Sequence, residues 1–321
     1  MRILVTGGAG FIGSNTCDTL LNEKHQVVCL DNFLTGRREN IAKAIENPNF
    51  TLIEGDIRSF EMCENAVKDC DLVLHLAALG SVPRSINDPI TTNDININGF
   101  LNIITATRNA GIKRFVFAAS SSTYGDSIEL PKMEDRIGKP MSPYAITKYV
   151  GELYADVFAK VYGMEFIGLR YFNVFGKRQD PEGAYAAVIP KFIQSLLKQE
   201  APVINGDGSF SRDFTYIDNV VNINLQALFT SQKEAINQIY NVACGEATTL
   251  NQLYDYLRTA LGAEHPAILE INPIYQEVRS GDIPHSLASI EKAKELLSYD
   301  PKINIQEGIN RTVAWYSKNI L

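Results

Sequence analysis

Histidine and cysteine are scarce in this chain. The four histidines, at 25, 75, 265 and 285, show no metal-ligand spacing. The five cysteines, Cys17, Cys29, Cys63, Cys70 and Cys244, are odd in number and form no C-x-x-C pair. That argues against a disulfide framework and predicts reduced thiols. No apolar run approaches the ~18 residues that a membrane span needs. The first strand pattern begins at Arg2, which predicts no signal peptide and, with the thiols, a cytoplasmic location. Positive charge is the minority, 30 Lys and Arg against 37 Asp and Glu, for a net charge of −7. A nucleic acid is therefore not expected as partner, although one local site can still take a small anion. What remains is ordinary: 321 residues, 45% hydrophobic and 21% charged, enough for a sizeable core.

Along the first half, apolar runs alternate with helical periodicity. Strands are predicted at Ile3–Thr6, Gln26–Asp31, Phe50–Glu54, Leu72–Leu76, Arg114–Ala118 and Glu165–Arg170. Helices are predicted at Phe11–Glu23, over one long stretch at 89–110, and over 143–162. This alternation implies parallel pairing with helices on both faces, a doubly wound α/β sheet. Beyond residue 172 the pattern loosens into shorter elements and loops rich in Gly, Asp and Pro. A division is expected into a first unit, 1–172, and a smaller mixed α/β lobe, 173–321, with segments near 214–243 returning to the first sheet.

Three glycines, Gly7, Gly10 and Gly13, follow the first strand and open the first helix in MRILVTGGAGFIGS. Glycine permits the tight turn and the close approach of a pyrophosphate, and the helix N-terminus offers free N–H groups. The bland alternative is a plain strand–helix turn. The second strand ends in Asp31-Asn32. An acid there accepts both ribose hydroxyls of an adenosine and repels a 2′-phosphate, which favours NAD over NADP. Arg37 and Arg38 follow closely and keep NADP in play. Asp56, after the third strand, is placed to set a carboxylate against the adenine amine. Further on, Tyr144 and Lys148 stand one helical turn apart in MSPYAITKYVGE. By itself the pair reads equally well as decoration of an exposed helix.

With TGGAGFIG, Asp31-Asn32, GDI, HLAA at 75–78, SSSTYG at 120–125 and Tyr144-x-x-x-Lys148, the chain resembles the extended short-chain dehydrogenase/reductase family over essentially its full length. The resemblance implies a Rossmann sheet and a tightly bound NAD+. It implies that Tyr144 is the acid/base, with Lys148 lowering its pKa and holding the nicotinamide ribose. The chemistry agrees, since a free phenol near pKa 10 is a poor base unless a fixed cation favours its anion. Ser120, with Ser121 as the near alternative, supplies the hydroxyl expected beside the reacting sugar oxygen. The cofactor set implied is Gly7, Gly10, Phe11, Ile12, Gly13, Asp31, Asn32, Asp56, Ile57, Leu76, Ala77, Ala78 and Asn98, together with Tyr144 and Lys148.

Extended members of the family act mostly on nucleotide sugars. Its dehydratases carry Asp-Glu just before Tyr-Gly, where this chain has Ser122-Thr123; its decarboxylases carry a glutamate that is also missing. The stretch therefore resembles a 4-epimerase, with a UDP-sugar as substrate. Asn173, Ala187, Val188, Asn205, Arg212, Arg279 and Asp282 fall where such enzymes hold the nucleotide and its diphosphate. Ser286 stands where enzymes restricted to non-acetylated sugars have a bulky tyrosine, and Gly80 where they have lysine. The stretches around Ser81 and Gln179 resemble bacterial UDP-N-acetylglucosamine 4-epimerases, which puts both residues in the sugar pocket. The expectation is interconversion of UDP-GlcNAc and UDP-GalNAc, or of their uronic acids. UDP-glucose/UDP-galactose and UDP-glucuronate epimerisation stand as alternatives, and a nucleotide-sugar reductase or a non-catalytic NAD sensor lies further off. The resemblance also implies a homodimer paired through the stretches 89–110 and 143–162.

Overall fold

The computed structural model describes residues 1–181, 186–278 and 283–319. Seven strands form its main sheet: β1 (Arg2–Thr6), β2 (Gln26–Asp31), β3 (Phe50–Glu54), β4 (Leu72–His75), β5 (Arg114–Ser120), β6 (Glu165–Tyr171) and β7 (Gln238–Val242). Their order is β7-β6-β5-β4-β1-β2-β3, and every pairing is parallel. The order reverses between β1 and β4, so a crevice opens at the carboxyl ends of those two strands, where α/β sheets bind ligands. The period of two along β1 splits its side chains. Ile3 and Val5 enter one apolar core and Leu4 the other.

Helices cover both faces: α1 (Phe11–Asn22), α2 (Phe60–Val67), α3 (Gly99–Asn109), α4 (Pro143–Tyr162), α5 (Val188–Leu197) and α6 (Ile217–Phe229). Strand β7 lies beside β6, and α6 packs on α1, so residues far along the chain complete the sheet layer. The core on that side runs without a break from Ile3 through Leu169 to Tyr316.

The long helix predicted at 89–110 is broken. Two short helices, Val82–Asn87 and Pro89–Asn93, precede a π-turn at Asp94–Asn98, and α3 follows. Pro89 starts a new helix because it has no N–H to donate, and Asp88 caps it through Thr91 N–H at 3.1 Å. The π-turn adds residues to one helical turn and changes which side chains face inward.

Helix α4 carries the Tyr–Lys pair. Ser142 caps it by accepting from Ala145 N–H at 3.1 Å, Pro143 opens it, and Gly163 closes it at φ 68°. A buried ion pair sets its position against the sheet. Arg170 of β6 grips Glu152 of α4 at two points, 2.9 and 2.7 Å, with the side chains only 3% and 6% exposed. The guanidinium also donates to Glu134 O at 3.0 Å and sits 4.9 Å above the Tyr124 ring.

Candidate active site

A cleft of about 770 Å³ lies at the carboxyl ends of the strands. Its floor is the glycine turn. Gly7 adopts φ 71°, and a Cβ there would meet Ala77 N at 2.8 Å; a Cβ on Gly13 would meet Gly7 O at 2.1 Å. Gly10 is different: a Cβ there would contact only Gly7 O, at 3.1 Å, and would stand in the cleft that Gly10 lines. Gly10 is also the N-cap of α1, and no side chain caps that helix or puts an acid in its first turn. The open N–H groups of α1 and the bare backbone above them fit a dinucleotide pyrophosphate.

Asp31 is buried at the end of β2. One carboxylate oxygen accepts Ala9 N–H at 2.9 Å and the other accepts Phe33 N–H at 2.8 Å. Burial raises its pKa, and those two N–H groups oppose the rise. Asn32 lines the cleft beside it and donates to Asp56 at 2.8 Å. Asp56 itself does not line the cleft. Its carboxylate is held by Arg58, which pulls its pKa down to about 2, so it braces Asn32, and its neighbours Gly55 and Ile57 form the wall.

Phe11, Ile12, Leu76, Ala77 and Ala78 all line the cleft as expected. Asn98 does not. It is exposed and donates to Asp94 at 2.9 Å, one turn back. The buried asparagine is Asn96, which accepts Leu79 N–H at 2.7 Å and donates to Leu79 O and to Thr147 Oγ1. The π-turn puts Asn96 inward and Asn98 outward. A reading that assumed one regular helix could not find that phase.

Tyr144, Lys148 and Ser120 meet on the inner wall. The Ser120 oxygen accepts from both the N–H and the hydroxyl of Ser122, at 3.2 and 2.9 Å. Burial raises the Tyr144 pKa, and the nearby Ser120 hydroxyl opposes the rise. Lys148 donates instead to Ala118 O at 2.9 Å, with its nitrogen 5.9 Å from the Tyr144 ring centre. Burial pushes the Lys148 pKa down to about 8. His75 lies below, pushed down to about 3 first by burial and then by the Lys148 charge. It stays a neutral partner of Thr6 at 2.7 Å. Ser121 is not on the cleft wall, so the geometry favours Ser120 of the two.

Tyr171, the register neighbour of Ser120, also lines the cleft, as do Asn173, Gln179, Asp180 and Ala187. Asn173 donates to Asp213 O at 3.0 Å. Ala187 is the uncapped N-cap of α5, and Val188 stands just behind it. At the far end, Gly80 and Ser81 line the cleft, and a Cβ on Gly80 would meet nothing within 4 Å. Ser81 holds φ 106° while its hydroxyl caps the next helix through Arg84 N–H at 3.3 Å. Asn205, Arg212 and Ser286 are not among the described residues that line the cleft. Arg212 donates to Ser211 O and Pro284 O, and Ser286 N–H donates to Ser211 O at 3.1 Å. The candidates Arg279 and Asp282 lie outside the described residues. No metal-ligating cluster occurs among the described residues, and no described helix is long and apolar enough to cross a membrane.

Residues 3–243 match the model of the NAD dependent epimerase/dehydratase family. The chain is 40% identical over 319 residues to a putative UDP-glucose 4-epimerase of Methanocaldococcus jannaschii, covering 99% of each. Among solved structures it superposes with a TM-score of 0.92 on a UDP-glucose 4-epimerase of Thermotoga maritima with UDP-glucose, at 37% identity and full coverage of both chains. It also superposes at 0.92 on a UDP-N-acetylglucosamine 4-epimerase of Methanobrevibacter ruminantium in complex with UDP-N-acetylmuramic acid, at 39% identity, covering 99% of this chain and 98% of the other. This chain belongs to the NAD-dependent epimerase/dehydratase family, whose cofactor is NAD.

Proposed function

We propose that this chain interconverts the C4 epimers of a UDP-hexose, with UDP-N-acetylglucosamine and UDP-N-acetylgalactosamine as the pair. The observation that carries the epimerase reading is the meeting of Tyr144, Ser120 and Lys148 with the glycine turn on one cleft. The chemistry that NAD would supply in this cleft is reversible hydride transfer with C4 of the sugar. Tyr144 takes the proton of the 4-hydroxyl as that carbon is oxidised, and the Ser120 hydroxyl hydrogen-bonds the same sugar oxygen. Lys148 supplies the fixed charge that favours the phenolate. Its second task is to hold the nicotinamide ribose. The 4-keto sugar turns within the cleft, presents its other face, and recovers its proton from Tyr144. Because the cofactor ends each turnover as it began, it has no need to leave, and a tightly held NAD+ follows.

The acetylated sugar is supported by the open space at Gly80, which lines the cleft, and by the likeness to the UDP-N-acetylglucosamine 4-epimerase of M. ruminantium. The names of the M. jannaschii and T. maritima relatives favour a second reading, UDP-glucose and UDP-galactose. UDP-GlcNAc, UDP-glucose and the uronic acid of UDP-GlcNAc should be supplied side by side, without added NAD, and the products separated by chromatography. Interconversion of UDP-GlcNAc is expected to be the most efficient. Turnover confined to UDP-glucose would refute the acetylated-sugar assignment.

A second copy of the chain is placed on the outer face of α4. Ile146, Leu153, Val157 and Val161 form one stripe there, with Val161 65% exposed, and Ile90, 81% exposed, lies on the helix packed beside it. Such a stripe facing water is what a helical interface presents before pairing. Sedimentation is expected to give twice the chain mass for the wild type and a monomer for a Leu153→Lys, Val157→Lys variant. A monomeric wild type refutes the assembly.

A further inference from the structure

Arg37 and Arg38 follow Asp31 in the loop where a cation would take a 2′-phosphate, yet the fold sets both against carboxylates. Arg37 N–H donates to Ala9 O at 3.0 Å, and Ala9 N–H donates to Asp31 at 2.9 Å. Arg37 is thus stitched to the same turn as the ribose-binding acid. Gly36 packs so closely on that acid that a Cβ would come within 2.9 Å of its oxygen. From this position the Arg37 guanidinium reaches Asp180, far along the chain, at 2.7 Å. Arg37, Asp180 and Asp31 all line the cleft. Arg38 meets Glu54 at 2.5 Å and lies 4.3 Å above the Phe33 ring. Glu54 is the strand partner of Asp31 in register.

We propose that Asp180 is a cofactor-specificity residue that acts by positioning and neutralising Arg37, so that the cleft keeps NAD and rejects NADP although two arginines stand at its ribose end. The inference rests on the reading of the cleft as the dinucleotide site. A phosphate monoester carries about −1.5 to −2 charge at neutral pH. To bind it, Arg37 must leave Asp180, whose negative charge then adds its repulsion to that of Asp31. The Arg37–Asp180 pair is roughly half exposed, so it contributes little to folding stability. Its effect lies in the charge it removes from one end of the cleft. Glu54 does the same to Arg38 outside the wall.

The test is a competition read on bound cofactor. Purified wild type, Asp180→Asn, Asp180→Glu and the double variant Arg37→Met, Asp180→Asn are equilibrated with equimolar NAD and NADP until the bound ratio stops changing. Free dinucleotide is removed, the protein is denatured, and the released NAD and NADP are quantified. The wild type is expected to carry NAD almost alone. Asp180→Asn should raise the NADP:NAD ratio about tenfold, the factor that ~1.4 kcal/mol of differential binding produces. Asp180→Glu should restore the wild-type ratio, and adding Arg37→Met should abolish the gain. An unchanged ratio in Asp180→Asn, or equal loss of both dinucleotides, overturns the proposal and leaves the pair a structural strap. A wild type that binds neither dinucleotide is a separate outcome; it overturns the cleft reading and this inference with it.

Discussion

Tyr144→Phe is expected to lower UDP-sugar turnover by about a thousandfold while the protein still purifies with its dinucleotide. The substitution removes one oxygen and leaves the ring that packs in the wall. Positioned proton transfer contributes about 10²–10⁴ in rate. Among the described residues, the other tyrosine that lines the cleft is Tyr171; its hydroxyl is committed to Asn224 at 2.7 Å, and burial drives its pKa up. Ser120 is not placed to substitute as base, because its oxygen already accepts from both the N–H and the hydroxyl of Ser122. The measurement is turnover of UDP-GlcNAc and UDP-glucose beside the dinucleotide content of the same sample. Turnover within a few fold of wild type would remove Tyr144 from the chemistry. Loss of the bound dinucleotide would instead assign it to cofactor retention.

Glu152→Ala is expected to cost about 3–5 kcal/mol of stability, because it strands a guanidinium among apolar side chains. Arg170 is 3% exposed, and its remaining contacts, Glu134 O and the Tyr124 face, carry no formal negative charge. The loss should appear as a lower urea midpoint at unchanged m-value. Replacing both partners by methionine should cost far less, since no charge is then left buried. A single variant as stable as the wild type would show that water or a rearranged carboxylate reaches Arg170. The pair joins α4 to β6, so the same variant is expected to lose activity before it unfolds, as the Tyr144–Lys148 face tilts.

Much of this molecule was legible in its residues because the signals are local. The alternation of strand and helix, the glycine turn and the end of β2 are each written within a dozen residues, and the sheet and its crevice follow from them. Asn98 enters the expected cofactor set through the resemblance alone, which does not carry the local helix phase. The π-turn at Asp94–Asn98 is a tertiary outcome, with Asn96 drawn onto Leu79 and Thr147. Asp56 was aimed at a ligand because nothing in its neighbourhood revealed that Arg58 would claim it. The Arg37–Asp180 contact joins two loops with nothing between them in sequence to suggest a meeting. The assignment of Asn205, Arg212 and Ser286 to a site rests on resemblance alone, because no local pattern in the sequence marks them.

Ser81 carries a last consequence. A side chain at φ 106° holds a conformation that glycine occupies freely, at a standing cost of order 1–3 kcal/mol. Gly80, directly before it, is where the chain could have placed that bend without tension. Keeping a hydroxyl on the tense residue, and spending it on a helix cap, makes the rim of the sugar end stiff before any ligand arrives. Discrimination between sugars would then come from fit to a rigid edge rather than from a loop that reshapes around each one.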